Sequence, residues 1–289
     1  MPSGQSNTTA TGPTISIPLS TVFCAGDADM VIRAAGTRDF RVHKLIISLV
    51  SPIFKDMFTI PQPPTDTPGT LPHVDVNESA ETWENILRTI YPMSNPVIDN
   101  LNNLGSLLLA AKKYEMEHII ETHKKGLENR VFILEDPLYL YAIACACGLD
   151  DQAKCVAKNA EFLTVIRSSH DDDLGGLTVA SHRRLITFLV ERDNELHPVL
   201  EKGWVTFESQ CDCLKEDKKW LYGKTKEELK KPYIRMEEVY LIALKDRSSY
   251  YEEVCPNSPC SITDLQIKQF LERMFKERER VYDKFIWKE

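Results

Sequence analysis

Hydrophobic and polar positions alternate along the chain between residues 30 and 42. Met30, Ile32 and Ala34 alternate with Val31 and Arg33, and Phe40 and Val42 lie on either side of Arg41. The turn sequence Ala35-Gly36-Thr37 separates the two segments, 30–34 and 38–42. Strict alternation is typical of a strand with one buried face, and a glycine between two such runs is typical of a hairpin. The pattern therefore predicts two paired strands.

The period changes to a helical one directly after His43-Lys44. The apolar positions that recur at helical spacing are Leu45, Ile46, Leu49 and Val50. Ser51-Pro52 ends this helix and begins the next, because proline is well tolerated in the first turn of a helix. The predicted hairpin therefore leads into two helices.

Beyond these helices, a proline-rich segment between Phe58 and Val74 has no hydrophobic period and predicts a loop. Past Asn129 the pattern is helical throughout. The predicted helices cover residues 137–148, 150–165, 179–195, 236–247 and 263–289. Either Asp150 or Asp151 is the expected N-cap of the second of these helices.

Three motifs of the first half occur together in a known order. They are Asp29 before the first strand, F-x-V-H-K at residues 40–44 and S-P-x-F at residues 51–54. Together they resemble the BTB/POZ family, in particular its fungal branch. The resemblance covers residues 21–129 and implies an α+β fold, a short sheet with helical hairpins. It assigns a third strand to residues 73–76 and helices to residues 81–92 and 107–116.

The resemblance also implies roles for residues near the junction of hairpin and helix. Asp29 and His43 correspond to polar residues that determine the fold and do not bind a ligand. The dimer surface of the family is built largely from the first helix and its neighbours. The candidates for core or interface are accordingly Leu45, Ile46, Leu49, Phe54 and Met57. The sequence leaves open which of them pack inside and which lie at an interface.

The rest of the chain is expected to be all-helical. Leu140–Ala144 and Ala153–Ala157 partly match the spacing of the BACK-type extension that often follows BTB domains. The expected organisation is a disordered tail, a BTB/POZ domain, a BACK-like helical region and a helical, cysteine-containing C-terminal region. These parts cover residues 1–20, 21–129, 130–197 and 198–289.

Charge and composition narrow the possible functions. The 289-residue chain has a net charge of −8 and no long basic run, so it lacks the phosphate-neutralising patch that nucleic-acid binding requires. The Ser/Thr-rich N-terminus does not match a secretory signal, and no apolar run reaches the ~18 residues of a membrane span. We expect a protein of the cytoplasm or nucleus that binds neither nucleic acid nor membrane.

Two pairs of cysteines form the strongest candidate for a cofactor site. Eight cysteines without a secretory signal are expected to be reduced thiols or metal ligands. Two turns that each present two sulfurs can hold a structural zinc ion, and the paired residues are Cys211, Cys213, Cys255 and Cys260. Their C-x-C and C-x-x-x-x-C spacings differ from the common C-x-x-C, so unliganded thiols remain the alternative, and His197 is the nearest substitute ligand.

The other chemical signals favour structural roles. Cys145, Cys147 and Cys155 lie in apolar helical patterns, where a small thiol packs as an apolar group. The acidic run at residues 170–173 lacks the ligand spacing of a calcium loop and is expected to be an exposed loop. Nucleophile-elbow, phosphate-loop and zinc-protease motifs are absent from the sequence, so no enzymatic activity is expected.

The sequence therefore predicts a protein-interaction and oligomerisation module, a scaffold or adaptor that forms homodimers and binds other proteins. One alternative is a substrate adaptor of a cullin-based ubiquitin ligase, and another is a transcriptional or chromatin regulator. Cullin-binding relatives often carry an apolar-x-Glu element after the second helix, whereas here the first acidic residue after Phe58 is Asp66. The general interaction function is therefore preferred.

Overall fold

A computed structural model describes residues 17–60, 71–167, 174, 177–205, 225, 227–231, 234–245 and 264–284. The chain divides into two compact units, residues 1–122 and residues 123–289. None of the helices in the described ranges combines the length and the apolar character needed to cross a bilayer.

The first unit is built on a three-stranded sheet with the order β2-β1-β3. Its strands are β1 (Met30–Ala34), β2 (Arg38–Val42) and β3 (His73–Val76). β1 pairs antiparallel with β2 and parallel with β3. The predicted hairpin and third strand are thus confirmed.

The turn between β1 and β2 requires left-handed backbone at two consecutive residues. Ala35 and Gly36 have φ angles of 43° and 65°, and the N–H of Thr37 donates to the carbonyl of Ala34 at 2.8 Å. Glycine adopts positive φ without a steric penalty, which explains its place in the turn. Both strands can therefore turn one apolar face inward.

Short helices complete the first unit. They are α1 (Lys44–Val50), α2 (Pro52–Thr59), α3 (Ala80–Ile90), α4 (Leu101–Lys113) and α5 (Glu117–His123). Ser51, Ser79 and Asn100 cap α2, α3 and α4, because each side chain accepts a backbone N–H of the first turn. The sequence predicted the helix at residues 107–116 too far along the chain, since α4 begins at Leu101 and ends at Lys113.

The core of the first unit combines the inner face of the sheet with the buried faces of these helices. Its fully buried members include Ile32, Phe40, Val42, Ile47, Trp83, Ile86, Leu87, Leu107 and Leu108. The alternation predicted for β1 and β2 is confirmed, because each strand buries the apolar residues of one face.

The second unit is helical in every described segment. A 3-10 helix, Lys124–Glu128, is followed by α6 (Arg130–Glu135), α7 (Pro137–Cys147), α8 (Asp150–Asn159), α9 (Phe162–Ile166), α10 (Val179–Val205), α11 (Met236–Lys245) and α12 (Asp264–Lys284). Asp136 caps α7, and Gly148 ends it with a φ of 71°. Leu149 is the N-cap of α8 and forms no side-chain cap, so the expected aspartate cap is wrong.

The helix predicted for residues 150–165 is wrong as a single helix, because the chain is extended at Ala160 between α8 and α9. Arg192 on α10 holds this break. Its Nη1 donates to the carbonyls of Ala157, Lys158 and Ala160 at 3.3, 3.2 and 2.8 Å. The guanidinium thereby donates hydrogen bonds to carbonyls at the end of α8. These carbonyls would have accepted backbone N–H groups if the helix had continued.

α10 continues past the predicted end at Glu195 and contains Pro198 in its interior. The residues on both sides of this proline are held by apolar packing, since Leu196 before it and Leu200 after it are each 2% exposed. They join a cluster that also includes Val239, Ile267, Phe270, Leu271 and Met274. Packing against α11 and α12 thus compensates for the backbone hydrogen bond that proline cannot form.

Candidate interaction surface

The helix α1 exposes two large apolar side chains to solvent. Leu45 is 70% exposed and Leu49 is 77% exposed, and their i, i+4 spacing places them on one face of the helix. Ile47, on the opposite side, is 0% exposed and is the buried residue of this helix. α1 therefore packs on the domain with Ile47 fully buried and exposes a leucine pair.

Other large apolar residues of the first unit are also exposed. Ile53 at the start of α2 is 42% exposed, and Leu19 and Val22 in the segment before β1 are 40% and 41% exposed. Single exposed apolar residues are common, but an exposed leucine pair on one helical face is a candidate for a docking surface.

Two distant side chains hold the N-terminus of α1. Its N-cap residue, His43, forms no side-chain cap. The carboxylate of Asp29 instead accepts the N–H of Lys44 at 2.7 Å, and the hydroxyl oxygen of Tyr91 accepts the N–H of His43 at 2.9 Å. These bonds satisfy backbone donors that every helix leaves unpaired at its start.

The same hydroxyl of Tyr91 lies 3.1 Å from Nδ1 of His43. Because the Tyr91 oxygen already accepts the backbone N–H, its own proton can be donated to Nδ1. The imidazole proton then resides on Nε2, 3.5 Å from Oδ1 of Asp27. The arrangement ties the His43 side chain and backbone to one phenol.

The C-terminal end of α1 is held by Ser51, which is 0% exposed. Its hydroxyl donates to the carbonyl of Tyr114 at 2.6 Å and accepts the N–H of Phe54 at 3.2 Å. Ser51 therefore caps α2 and connects the corner between α1 and α2 to the end of α4.

The structure separates the five core-or-interface candidates. Phe54 is a core residue, 2% exposed, and its ring lies 5.0 Å from that of Tyr114 and 5.8 Å from that of Trp83. Leu45 and Leu49 lie on the surface, whereas Ile46 and Met57 are half-buried.

A polar cluster borders this aromatic core. Glu78 accepts hydrogen bonds from Nζ of Lys113 at 2.6 Å and from the hydroxyl of Tyr114 at 2.7 Å. Burial raises the pKa of Glu78, but these two hydrogen bonds outweigh it and hold the pKa below its ordinary value. For Tyr114, burial and the bond to Glu78 raise the pKa to about 12.

Three important residues were not found from the sequence. Ile47 is buried although the helical pattern selected its neighbours, because a seven-residue helix with apolar residues on all sides gives no clear periodicity. Ile53 was not included in the predicted surface. Tyr91 falls at the end of the helix predicted for residues 81–92, and no local pattern indicates its contact with His43, which spans 48 positions.

The cysteine predictions have different outcomes. Two predictions fall outside the described residues. They are the zinc site at Cys211, Cys213, Cys255 and Cys260 and the exposed acidic loop at residues 170–173. Within the described ranges, no group of three or more His, Cys, Asp or Glu side chains could hold a metal ion.

The cysteines inside the described part of the chain differ in exposure. Cys147 is buried as expected, but Cys145 and Cys155 are only partly buried, and Cys24 is exposed. Burial nevertheless raises the pKa values of the Cys145 and Cys155 thiols. The thiolate fraction of both groups is therefore low at neutral pH.

The second unit contains a cavity of about 390 Å³ between α9, α10 and residues 227–231. Its charged groups are largely paired with each other or with neighbours, Arg192 with Asp193 at 2.8 Å and Lys230 with Glu227 at 2.9 Å. The geometry of the cavity specifies no ligand.

Residues 22–130 match the protein family described as BTB/POZ domain. The matched segment contains the sheet, the helices α1 to α5 and both anchors of α1. This segment is therefore similar to a BTB/POZ domain, and its α+β fold supports a module of protein interaction and oligomerisation. A search of curated proteins found no match for the chain.

Proposed function

We propose that this protein forms a homodimer through the exposed face of α1 and acts as a scaffold or adaptor for other proteins. The observation that carries the proposal is the exposure of Leu45 and Leu49, 70% and 77%. The F-x-V-H-K and S-P-x-F motifs further support a place in the fungal branch of the family.

A second copy of the chain is the occupant that best suits this surface. Lys44 is the one charged residue among the seven of α1, so the face offers apolar area and little charge for selecting an unlike partner. In a two-fold contact the same patch meets itself, and an apolar patch is complementary to its own copy. Burying a leucine side chain contributes about 1.5–3 kcal/mol.

The test is the mass of the full-length protein in solution, measured by light scattering over a range of concentrations. We expect a dimer for the wild type and a monomer for Leu49→Glu, because a buried, unpaired carboxylate opposes association. Leu241→Glu is the matched control, since Leu241 is also an exposed leucine on a helix, 64% exposed, and should leave the dimer intact.

A monomeric wild type at high micromolar concentration would refute the homodimer. Dissociation by both variants equally would show that the added charge, and not the α1 face, is responsible. Unchanged thermal unfolding of Leu49→Glu monomers would show that the leucine is not needed for the fold itself.

The adaptor part of the proposal concerns partners other than a second copy. Affinity purification from cells followed by mass spectrometry separates the possible functions. Recovery of a cullin favours a ubiquitin-ligase adaptor, and recovery of chromatin proteins favours a transcriptional regulator. If neither is recovered but other proteins copurify in stoichiometric amounts, a general scaffold is favoured.

A further inference from the structure

The helix that carries the exposed leucines is weakly held by packing. α1 has seven residues, of which Ile47 is buried, and isolated helices of this length are not stable in water. Contacts at its ends therefore help to fix its orientation, beside the packing of Ile47 and the half-buried Ile46 and Val50. At the N-terminus these contacts are the two hydrogen bonds to Asp29 and Tyr91.

The two N-terminal anchors differ in their own support. Asp29 is exposed on the segment leading into β1. Tyr91 is held from several sides, because its N–H donates to the carbonyl of Leu87 at 2.9 Å at the end of α3. Its ring also packs edge-on against Phe23 with 5.5 Å between the ring centroids. Tyr91 is therefore the more rigid of the two anchors.

We propose that Tyr91 is a positioning residue for self-association, and that its hydroxyl fixes the first turn of α1 in the orientation that presents Leu45 and Leu49. This inference rests on the proposed homodimer. The hydroxyl does not need to touch the partner. It acts by holding His43 through two atoms, the backbone N–H at 2.9 Å and Nδ1 at 3.1 Å.

The protonation state of Tyr91 suits this role. Burial raises its pKa, the hydrogen bond from His43 opposes that rise, and the charges of Asp29 and Asp27 add to it, so the pKa lies above the ordinary value. The hydroxyl accordingly keeps its proton at neutral pH and can accept from the N–H and donate to Nδ1 at once.

The test compares Tyr91→Phe with Tyr114→Phe in the full-length protein. Each change removes one hydroxyl and keeps the ring. Tyr114 is a demanding control, because it is 8% exposed and its hydroxyl donates to Glu78 at 2.7 Å, away from the N-terminus of α1. We expect both variants to unfold at lower urea concentration, but only Tyr91→Phe to weaken the dimer, with a Kd raised about tenfold.

Amide hydrogen exchange supplies a second readout that does not require a dimer. In Tyr91→Phe, the amides of His43 and Lys44 should exchange at least about tenfold faster than in the wild type, while those of β1 and α4 change little. Tyr114→Phe should leave His43 and Lys44 protected.

The outcomes test two claims separately, the homodimer and the positioning role of Tyr91. An unchanged Kd for Tyr91→Phe, or an equal rise for both variants, overturns the positioning role. If the wild type proves monomeric, the homodimer is refuted, and the exchange of His43 and Lys44 alone then shows whether Tyr91 orients α1. Unchanged exchange in Tyr91→Phe refutes the inference in either case.

Discussion

The hydroxyl of Ser51 donates a 2.6 Å hydrogen bond to the backbone carbonyl of Tyr114, 63 positions further along the chain. This bond joins the corner between α1 and α2 to the end of α4. The same oxygen accepts the N–H of Phe54, so one buried side chain combines a helix cap with a long-range contact.

Replacing Ser51 by alanine should therefore cost more than the loss of an ordinary cap. We expect Ser51→Ala to lower the free energy of unfolding by about 2–3 kcal/mol, because a cap is worth about 1 kcal/mol and a buried group without its partner costs about 1–3. Ser79→Ala is the control, since Ser79 caps α3 and is exposed. Urea unfolding followed by circular dichroism measures both. Equal losses would show that the bond to Tyr114 contributes nothing.

The aromatic cluster around Phe54 predicts a larger effect. Phe54→Ala removes a ring that contacts Trp83 and Tyr114 and is 2% exposed, and such changes cost about 3–5 kcal/mol. Ile53→Ala, one position earlier and 42% exposed, should change the stability by about 0.5 kcal/mol or less. A small effect of Phe54→Ala in urea unfolding would contradict the assignment of Phe54 to the core.

The sequence was sufficient for the parts of the fold that follow from local pattern. The alternation at residues 30–42 predicted the hairpin, because one face of each strand is buried. The S-P-x-F motif predicted the junction of α1 and α2 for a similar reason, since Ser51 is the cap and Pro52 the first residue of α2. Local chemistry decides both features.

Long-range contacts decide what the sequence did not reveal. The break at Ala160 depends on Arg192, 32 positions away, and the anchoring of α1 depends on Tyr91, 48 positions after His43. The distinction between core and surface in α1 also needed the structure, because only the sheet and the neighbouring helices determine which side Ile47 faces. A periodicity argument carries no information on such pairs.

Cullin binding is expected to be weak or absent. The segment that begins with the last two residues of α2, Phe58-Thr-Ile-Pro-Gln, contains no acidic side chain, and Asp66 is the first one that follows. We expect no submicromolar binding in a pull-down or calorimetric titration with a purified cullin N-terminal region, with a known BTB adaptor as positive control. Submicromolar binding would place the ligase-adaptor function first.

Arg192 should contribute strongly to the stability of the second unit. Its side chain is 1% exposed, and its loss would leave the carbonyls of Ala157, Lys158 and Ala160 without this donor. Because a buried unsatisfied group costs about 1–3 kcal/mol, we expect Arg192→Met to lower the unfolding free energy by about 3 kcal/mol or more. Arg183→Met, at an exposed position of the same helix, should have little effect. Urea unfolding compares the two, and similar stabilities would exclude a structural role for the buried guanidinium.

Glu78 should contribute to the acid sensitivity of the first unit. Its folded pKa is lowered from 4.5 because hydrogen bonds from Lys113 and Tyr114 outweigh the opposing effect of burial. A lowered pKa means that the unfolded chain binds the proton more readily, so this contribution to stability is present above about pH 4.5 and is lost as the pH falls through the folded pKa. Glu78→Gln should therefore be less stable than the wild type at pH 7, by about 1.5 kcal/mol, and should lose less stability than the wild type on acidification.

Urea unfolding at a series of pH values between 7 and 3 measures this difference. The control is Glu117→Gln, which makes the same chemical change at a residue that is exposed at the start of α5. The control should follow the wild-type pH dependence, whereas the curve of Glu78→Gln should approach that of the wild type as the pH falls below 4.5. Parallel curves for Glu78→Gln and the wild type would show that the hydrogen bonds from Lys113 and Tyr114 do not favour the charged form of Glu78.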